Sequence, residues 1–151
     1  MGILYDNLGK WDKAIECYRK FLDVCRLIGD QHGEGLAYNC IGVDYLLLSE
    51  DKPERLEDAI QYHKKHEEVS DLNGKFLACI NLGLCYDKLP DAKMSLFYYQ
   101  NALKYAIKMS NLVGQSIAIG NIGKIGTKGL YDNTDKMKMF VERYIKIASE
   151  L

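Results

Sequence analysis

Residues 74–83 read Gly-Lys-Phe-Leu-Ala-Cys-Ile-Asn-Leu-Gly, and the same frame stands at 33–42 and 114–123. Each copy opens on glycine, carries alanine four residues later, and ends on an aliphatic residue followed by glycine. The opening glycines are 41 and 40 residues apart. A period of this size is typical of stacked supersecondary units, each unable to bury its apolar face alone. The chain is therefore predicted to be a helical solenoid that binds a partner.

Between these segments, apolar residues recur at helical spacing. One stripe runs along a single predicted helix face and consists of Ala14, Ile15, Tyr18, Phe21, Leu22 and Cys25. Similar stretches begin at Ala59, Leu96 and Phe140. The chain has two prolines and no long alternation of polar and apolar residues, which argues against strands. The predicted class is all-α, with each repeat made of a helix, a turn and a second helix.

Cap and turn residues mark the predicted helix ends. Between repeats, Asp30, Asp71 and Asn111 follow a glycine or serine and are suited to cap the next helix. Breaks rich in turn-forming residues are predicted at 8–11, 48–54, 89–91 and 128–135. These breaks separate the two helices of each repeat.

Composition excludes several classes of partner. The 151 residues carry 20 basic and 21 acidic side chains in interleaved positions, whereas nucleic-acid binding needs a concentrated basic excess. No stretch is long and apolar enough to span a bilayer, and Met1 is not followed by a signal peptide. The five cysteines include no Cys-x-x-Cys pair, as in proteins of a reducing compartment. The sequence predicts a cytoplasmic protein without nucleic-acid or membrane partners.

Two motifs suggest ligand chemistry, and both have a simpler interpretation. His63 and His66 stand three apart on one predicted helix, but the sequence places no third metal ligand, so core packing is favoured. Residues 120–129 mix Gly, Lys and Thr, but Gly123-Lys124 is followed by Ile125 rather than by Ser or Thr, which a P-loop requires. No nucleophile, base and acid arrangement stands out. We therefore predict no metal, no cofactor and no catalysis.

The repeats resemble the tetratricopeptide repeat. The third repeat matches the family pattern at Leu82-Gly83, Tyr86, Leu89, Ser95, Tyr99 and Ala102. The first, partial repeat matches at Gly2, Tyr5, Leu8-Gly9, Trp11, Ala14, Tyr18 and Phe21. The second keeps Ile41-Gly42, Tyr45 and Ala59 but has His63 in the aromatic slot. The fourth keeps Ile122-Gly123 and departs from the pattern at Gly126 and Phe140.

The resemblance implies a right-handed α-solenoid. It divides the chain into one array over 1–151, with a partial repeat 1–28 and full repeats 29–70, 71–110 and 111–151. If Gly2 lies inside a first helix, that helix begins upstream, and the array is part of a longer solenoid. The forty-residue period resembles the longer repeats of spindle-orientation adaptors, kinesin light chains and ciliary or axonemal repeat proteins. These relatives imply a cytoskeletal or ciliary setting.

In the family, the first helix of each repeat lines a concave groove that binds a peptide or a partner helix. The corresponding positions here are Asn39, Val43, Ile80, Asn81, Leu84, Asp87, Lys88, Asn121, Lys124 and Lys128. An asparagine amide can donate to and accept from one peptide group, which suits an extended backbone. The alternative is that the asparagines satisfy neighbouring helix ends and the lysines are solvated. The set does not reproduce the family's clamp for chaperone C-terminal carboxylates.

The repeats and the groove positions together predict two possible functions. The first is a non-enzymatic scaffold or adaptor that binds a protein or peptide in the groove, as a component of a larger complex. The second is a structural subunit of a cytoskeletal or axonemal assembly, which packs through its ends or its convex face.

Overall fold

The computed structural model describes residues 1–126 together with 138, 139, 142, 143 and 146. Within the continuous range, the chain forms seven helices and no strand, which confirms the predicted all-α class. The helices are α1 (Gly2–Asn7), α2 (Trp11–Ile28), α3 (Gln31–Leu48), α4 (Arg55–Val69), α5 (Leu72–Lys88), α6 (Ala92–Lys108) and α7 (Leu112–Ile125). The five separate residues are also helical.

The chain divides into two compact halves. The N-terminal half, Met1–Gly74, holds α1 to α4 and the first turn of α5. Here α1 packs on α2, α2 on α3, and α3 on α4. In the C-terminal half, Lys75–Leu151, α6 packs on α7. Within each half, these helices thus pack against their neighbours in sequence, as in helical repeats.

Helices α3, α5 and α7 each begin with a side-chain cap. Asp30, Asp71 and Asn111 each accept a hydrogen bond, at 2.9 Å, from the backbone N–H three residues further on. The preceding Gly29 ends α2 in the left-handed conformation, with φ of 72°. All three predicted caps are confirmed. The predicted breaks within the continuous range also separate helices, whereas 128–135 lies outside the described residues.

One glycine and one ring bring the two helices of a repeat into close contact. The pairs are Gly2 with Tyr18, Gly42 with His63, and Gly83 with Tyr99. A Cβ added at Gly2 or Gly42 would lie 2.7 Å from the facing ring. His63 therefore occupies the slot that tyrosine fills in the other two pairs, as the sequence predicts.

The stripe predicted on α2 is confirmed for its small and aliphatic members and wrong at one position. Ala14, Ile15, Leu22 and Cys25 are buried, but Phe21 is 41% exposed. Phe21 lies at the edge of the buried arc, on the same side as exposed Val24 and Ile28. None of the described helices has the length and apolarity of a membrane span.

Candidate functional site

Nine of the ten predicted groove residues lie on the first helices of the repeats. The structure places Asn39 and Val43 on α3, in the N-terminal half. On α5 and α7, in the C-terminal half, lie Ile80, Asn81, Leu84, Asp87, Lys88, Asn121 and Lys124. The tenth, Lys128, lies outside the described residues.

The groove residues of α5 form one mixed face. Asn81, Leu84 and Lys88 stand at i, i+3 and i+7, so they lie on the same side of the helix. Leu84 is 39% exposed, Asn81 is half-buried and Lys88 is exposed. Asn81 and Lys88 also interact within the protein. This face therefore offers an amide, an apolar side chain and a cation. A bound ligand would replace some of the contacts that Asn81 and Lys88 make within the protein.

The end of α7 presents a similar but smaller face. Asn121 is half-buried and Lys124 is exposed, three residues apart. Next to them, a Cβ added at Gly120 would meet no described atom within 4 Å. The absence of a side chain at Gly120 lets another backbone approach α7 closely.

A buried acidic cluster in the N-terminal half was not predicted from the sequence. The Tyr18 hydroxyl donates to the Asp6 carboxylate at 2.6 Å. Asp44, on α3, is 3% exposed, and one oxygen of each carboxylate is buried without a hydrogen-bond partner. Within residues 1–126, no cation lies at ion-pair distance from either aspartate. An aspartate inside the apolar run 41–48 is the signal that could have pointed to this cluster.

Burial controls the protonation of this cluster. It raises the pKa of Asp44 to about 7, and repulsion from Asp6 adds to the shift. Burial also raises the pKa of the Cys40 thiol. A protonated Asp44 can donate to a neighbouring carboxylate, whereas an ionised Asp44 would leave two negative charges together.

We expect Asp44→Asn to raise the midpoint of thermal unfolding at pH 8 and to change it much less at pH 5. The folded pKa of Asp44 lies above the ordinary value of 3.8, so its protonated form stabilises the fold at low pH. That stability is lost as the pH rises towards 7. An asparagine amide keeps a donor at every pH. The measurement is calorimetry of both proteins across pH 4 to 8.

The matched control for this variant is Asp51→Asn, at an exposed position in the turn between α3 and α4. It should leave the pH profile of the parent unchanged. An Asp44→Asn variant whose midpoint shifts equally at pH 5 and pH 8 would contradict the assignment of Asp44.

The two histidines considered as metal ligands lie in the core. His63 is fully buried and His66 is 4% exposed. Burial lowers the pKa of His63 to about 3, and the proximity of His66 adds to the shift. Burial also lowers the pKa of His66. Among the residues described, no three potential ligands come together around a metal position.

Comparisons with known proteins agree with this architecture. Residues 1–31 match the family model of the tetratricopeptide repeat. Over 113 residues, 74% of this chain, the sequence is 24% identical to tetratricopeptide repeat protein 29 of Trypanosoma brucei brucei (strain 927/4 GUTat10.1). The chain spans 23% of the length of that relative. Both matches support the same repeat family, and neither concerns spindle-orientation adaptors or kinesin light chains.

Proposed function

We propose that this chain, whose sequence matches the tetratricopeptide repeat, acts as a non-enzymatic scaffold that holds a segment of a partner protein. Repeats of this family generally mediate protein–protein interactions. In each half taken by itself, we place the binding residues on the first helices of the repeats: on α3 in the N-terminal half, and on α5 and α7 in the C-terminal half. The single array over 1–151, with repeats at 29–70, 71–110 and 111–151, is part of this proposal. The caps at Asp30, Asp71 and Asn111 support its boundaries.

The mixed face of α5 is the observation that carries this proposal. A surface helix usually keeps polar side chains on its outer face, yet Leu84 is 39% exposed between half-buried Asn81 and exposed Lys88. A partner segment needs such a combination, because an apolar contact supplies affinity and an amide fixes the backbone. The same pairing of amide and cation recurs at Asn121 and Lys124.

The exposed cations define the expected ligand further. Lys88 and Lys124 are exposed, while Asp87 is half-buried. A peptide with an apolar side chain and at least one carboxylate would therefore complement the groove residues. A cytoplasmic location, in a cytoskeletal or ciliary complex, is consistent with this type of adaptor and stays part of the proposal.

We expect the groove variant Asn81→Ala, Asn121→Ala, Lys124→Glu to lose at least about tenfold of the partner that the parent chain captures from cell lysate. The purified chains would be compared by quantitative mass spectrometry after their helical circular dichroism is shown to be equal. The α6 variant Asn101→Ala, Lys104→Glu is the matched control, because these residues repeat the amide and cation at the same spacing. It should capture as the parent does.

A structural role is the second candidate function, and the exposed side of α2 favours it. Val24, Leu27 and Ile28 are 53%, 86% and 68% exposed, next to Phe21. Exposed apolar groups in one place are typical of protein interfaces. If the groove variant and the α6 control capture the same proteins as the parent, the groove proposal fails and packing through another surface replaces it.

A further inference from the structure

A second surface in the N-terminal half combines tyrosines with basic side chains. We call it the Arg–Tyr cluster, and it consists of Arg19, Arg26, Tyr38, Tyr45, Arg55, Tyr62 and Lys65. Its members come from α2, α3 and α4. None of them belongs to the groove residues.

Hydrogen bonds fix two guanidinium groups of the cluster. Arg19 donates to the Tyr45 hydroxyl at 2.7 Å, and Arg26 donates to the Tyr38 hydroxyl at 2.5 Å. The ring of Tyr62 lies near both tyrosines, with centroid distances of 5.6 Å to Tyr45 and 6.2 Å to Tyr38. These contacts therefore run without a break from one arginine to the other, although Tyr38 and Tyr45 themselves are buried.

The rings also position cations directly. Arg26 lies 5.7 Å from the centroid of Tyr38, and Arg55 lies 5.9 Å from that of Tyr45. The Lys65 ammonium lies 5.2 Å from the centroid of Tyr62. Cations held over aromatic faces lose less conformational freedom when a ligand binds than free surface side chains do.

Among the described residues, two of the four cations in the cluster have a carboxylate at ion-pair distance, and two do not. A Glu34 oxygen lies 3.9 Å from Arg26 Nε, and an Asp58 oxygen lies 3.1 Å from an Arg55 nitrogen. Asp23 and Glu54 also interact electrostatically with Arg26 and Arg55, respectively. In the described part of the chain, no carboxylate lies at ion-pair distance from Arg19 or Lys65. Both of these side chains are exposed, and Arg26 is 50% exposed. Arg19 and Lys65 are therefore open to an anionic ligand, and the exposed part of Arg26 can contribute beside Glu34.

The spacing of the cluster identifies the kind of ligand. Arg19 and Arg26 are seven residues apart on α2, as Tyr38 and Tyr45 are on α3. Seven residues are two helical turns, or about 10.5 Å along the axis. The two fixed guanidinium groups thus present fork-shaped donors at the repeat distance of a helix. A single phosphate or one lipid headgroup is too small to engage both positions.

We propose that the Arg–Tyr cluster binds an acidic helix of a partner protein that carries carboxylates seven residues apart. Guanidinium groups bind carboxylates through two parallel hydrogen bonds, and they retain free donors after one N–H has bonded to a tyrosine. The surface is separate from the groove, because Asn39 and Val43 lie about 100° and 140° around α3 from Tyr38.

The test measures fluorescence anisotropy of a labelled, alanine-based helical peptide with two glutamates seven residues apart, titrated with the full chain. A peptide of the same composition, with its glutamates on opposite helix faces, is the reference ligand. We expect the patterned peptide to bind at least about tenfold tighter, and its affinity to fall as salt is added. Equal binding of the two peptides would overturn the proposal.

Variants separate this surface from the groove. Arg19→Gln with Arg26→Gln should abolish the preference for the patterned peptide, and Arg19→Lys with Arg26→Lys should keep only part of it. Since the glutamine variant also loses two internal hydrogen bonds, Lys65→Glu provides a second test. We expect it to weaken binding about fivefold, because Lys65 lies over the Tyr62 ring and has no ion pair within the described residues.

The matched control is Lys93→Gln with Lys104→Gln, at exposed positions of α6, and it should bind as the parent does. The groove variant described above should also keep the preference, so this proposal and the groove proposal can fail separately. Unchanged binding by both the arginine and the Lys65 variants would overturn the cluster as a binding surface. Tighter binding to a phosphoserine peptide or to phosphatidylserine vesicles would overturn the acidic helix as its ligand.

Discussion

Replacing Gly83 by alanine is expected to destabilise the C-terminal half by about 2 kcal/mol. The new methyl group would overlap the ring of Tyr99, which is 2% exposed. The ring cannot move away easily, because the Ser95 hydroxyl donates to the Gly83 carbonyl at 2.8 Å and holds α6 against α5. Chemical denaturation of the full chain, followed by circular dichroism, measures the change.

Gly120→Ala is the matched control, because it also replaces a glycine inside a helix of the same half. No described atom lies within 4 Å of a Cβ added there, so we expect a gain of about 0.5–1 kcal/mol. In a double-mutant cycle, Tyr99→Leu should recover part of the loss caused by Gly83→Ala. If both glycine variants are stabilised, the close contact at Tyr99 does not determine the helix packing.

Acid is expected to destabilise the N-terminal half through His63. Its folded pKa of about 3 lies below the ordinary value of 6.5, so the unfolded chain binds more protons between these values. The stability is complete above pH 6.5 and falls with pH, by about 1.4 kcal/mol for each unit. His66 acts in the same direction. Between pH 3 and 6.5, ionisation of Asp44 changes the stability with pH in the opposite direction. The parent and the His63 variant should therefore both carry Asp44→Asn when the effect of His63 is measured.

His63→Phe should remove most of this acid sensitivity. Neither ring nitrogen of His63 has a hydrogen-bond partner at full hydrogen-bonding geometry. Replacing the imidazole by a phenyl ring therefore costs little hydrogen-bond energy in the core. We expect the variant to match or exceed the parent at pH 7.5 and to exceed it clearly at pH 5, by urea denaturation. His32→Gln, at an exposed position of α3, is the control. An imidazole NMR signal of His63 that titrates near pH 6.5 would contradict the expected acid sensitivity.

The helices and their boundaries were accessible from the sequence because local interactions fix them. The cap at Asp30 depends on a backbone N–H three residues away, and the pairing of Gly83 with Tyr99 repeats the pattern of Gly2 and Tyr18. Periodicity therefore identified each element within the continuous described range. The periodicity wrongly predicted that Phe21 is buried. An apolar stripe does not show how wide a face of the helix the neighbouring helices cover.

The groove residues could be assigned to helices but not to a ligand. Their places on α3, α5 and α7 follow from the repeat, whereas the partner depends on contacts outside this chain. The acidic cluster and the Arg–Tyr cluster were not predicted, because they unite residues from three helices. Tyr45, for example, receives a hydrogen bond from Arg19, 26 residues earlier in the sequence. A helical period carries no information about such neighbours.

The side-chain caps between repeats also affect the order of folding. Each cap joins residues only three apart. The first turn of α3, α5 or α7 can therefore form before the rest of that helix has folded. Contacts of short sequence separation form fastest, and each helix of the N-terminal half then packs on the one made just before it. During translation, the hairpins can therefore form one after another as the chain leaves the ribosome, without waiting for the C-terminal segment.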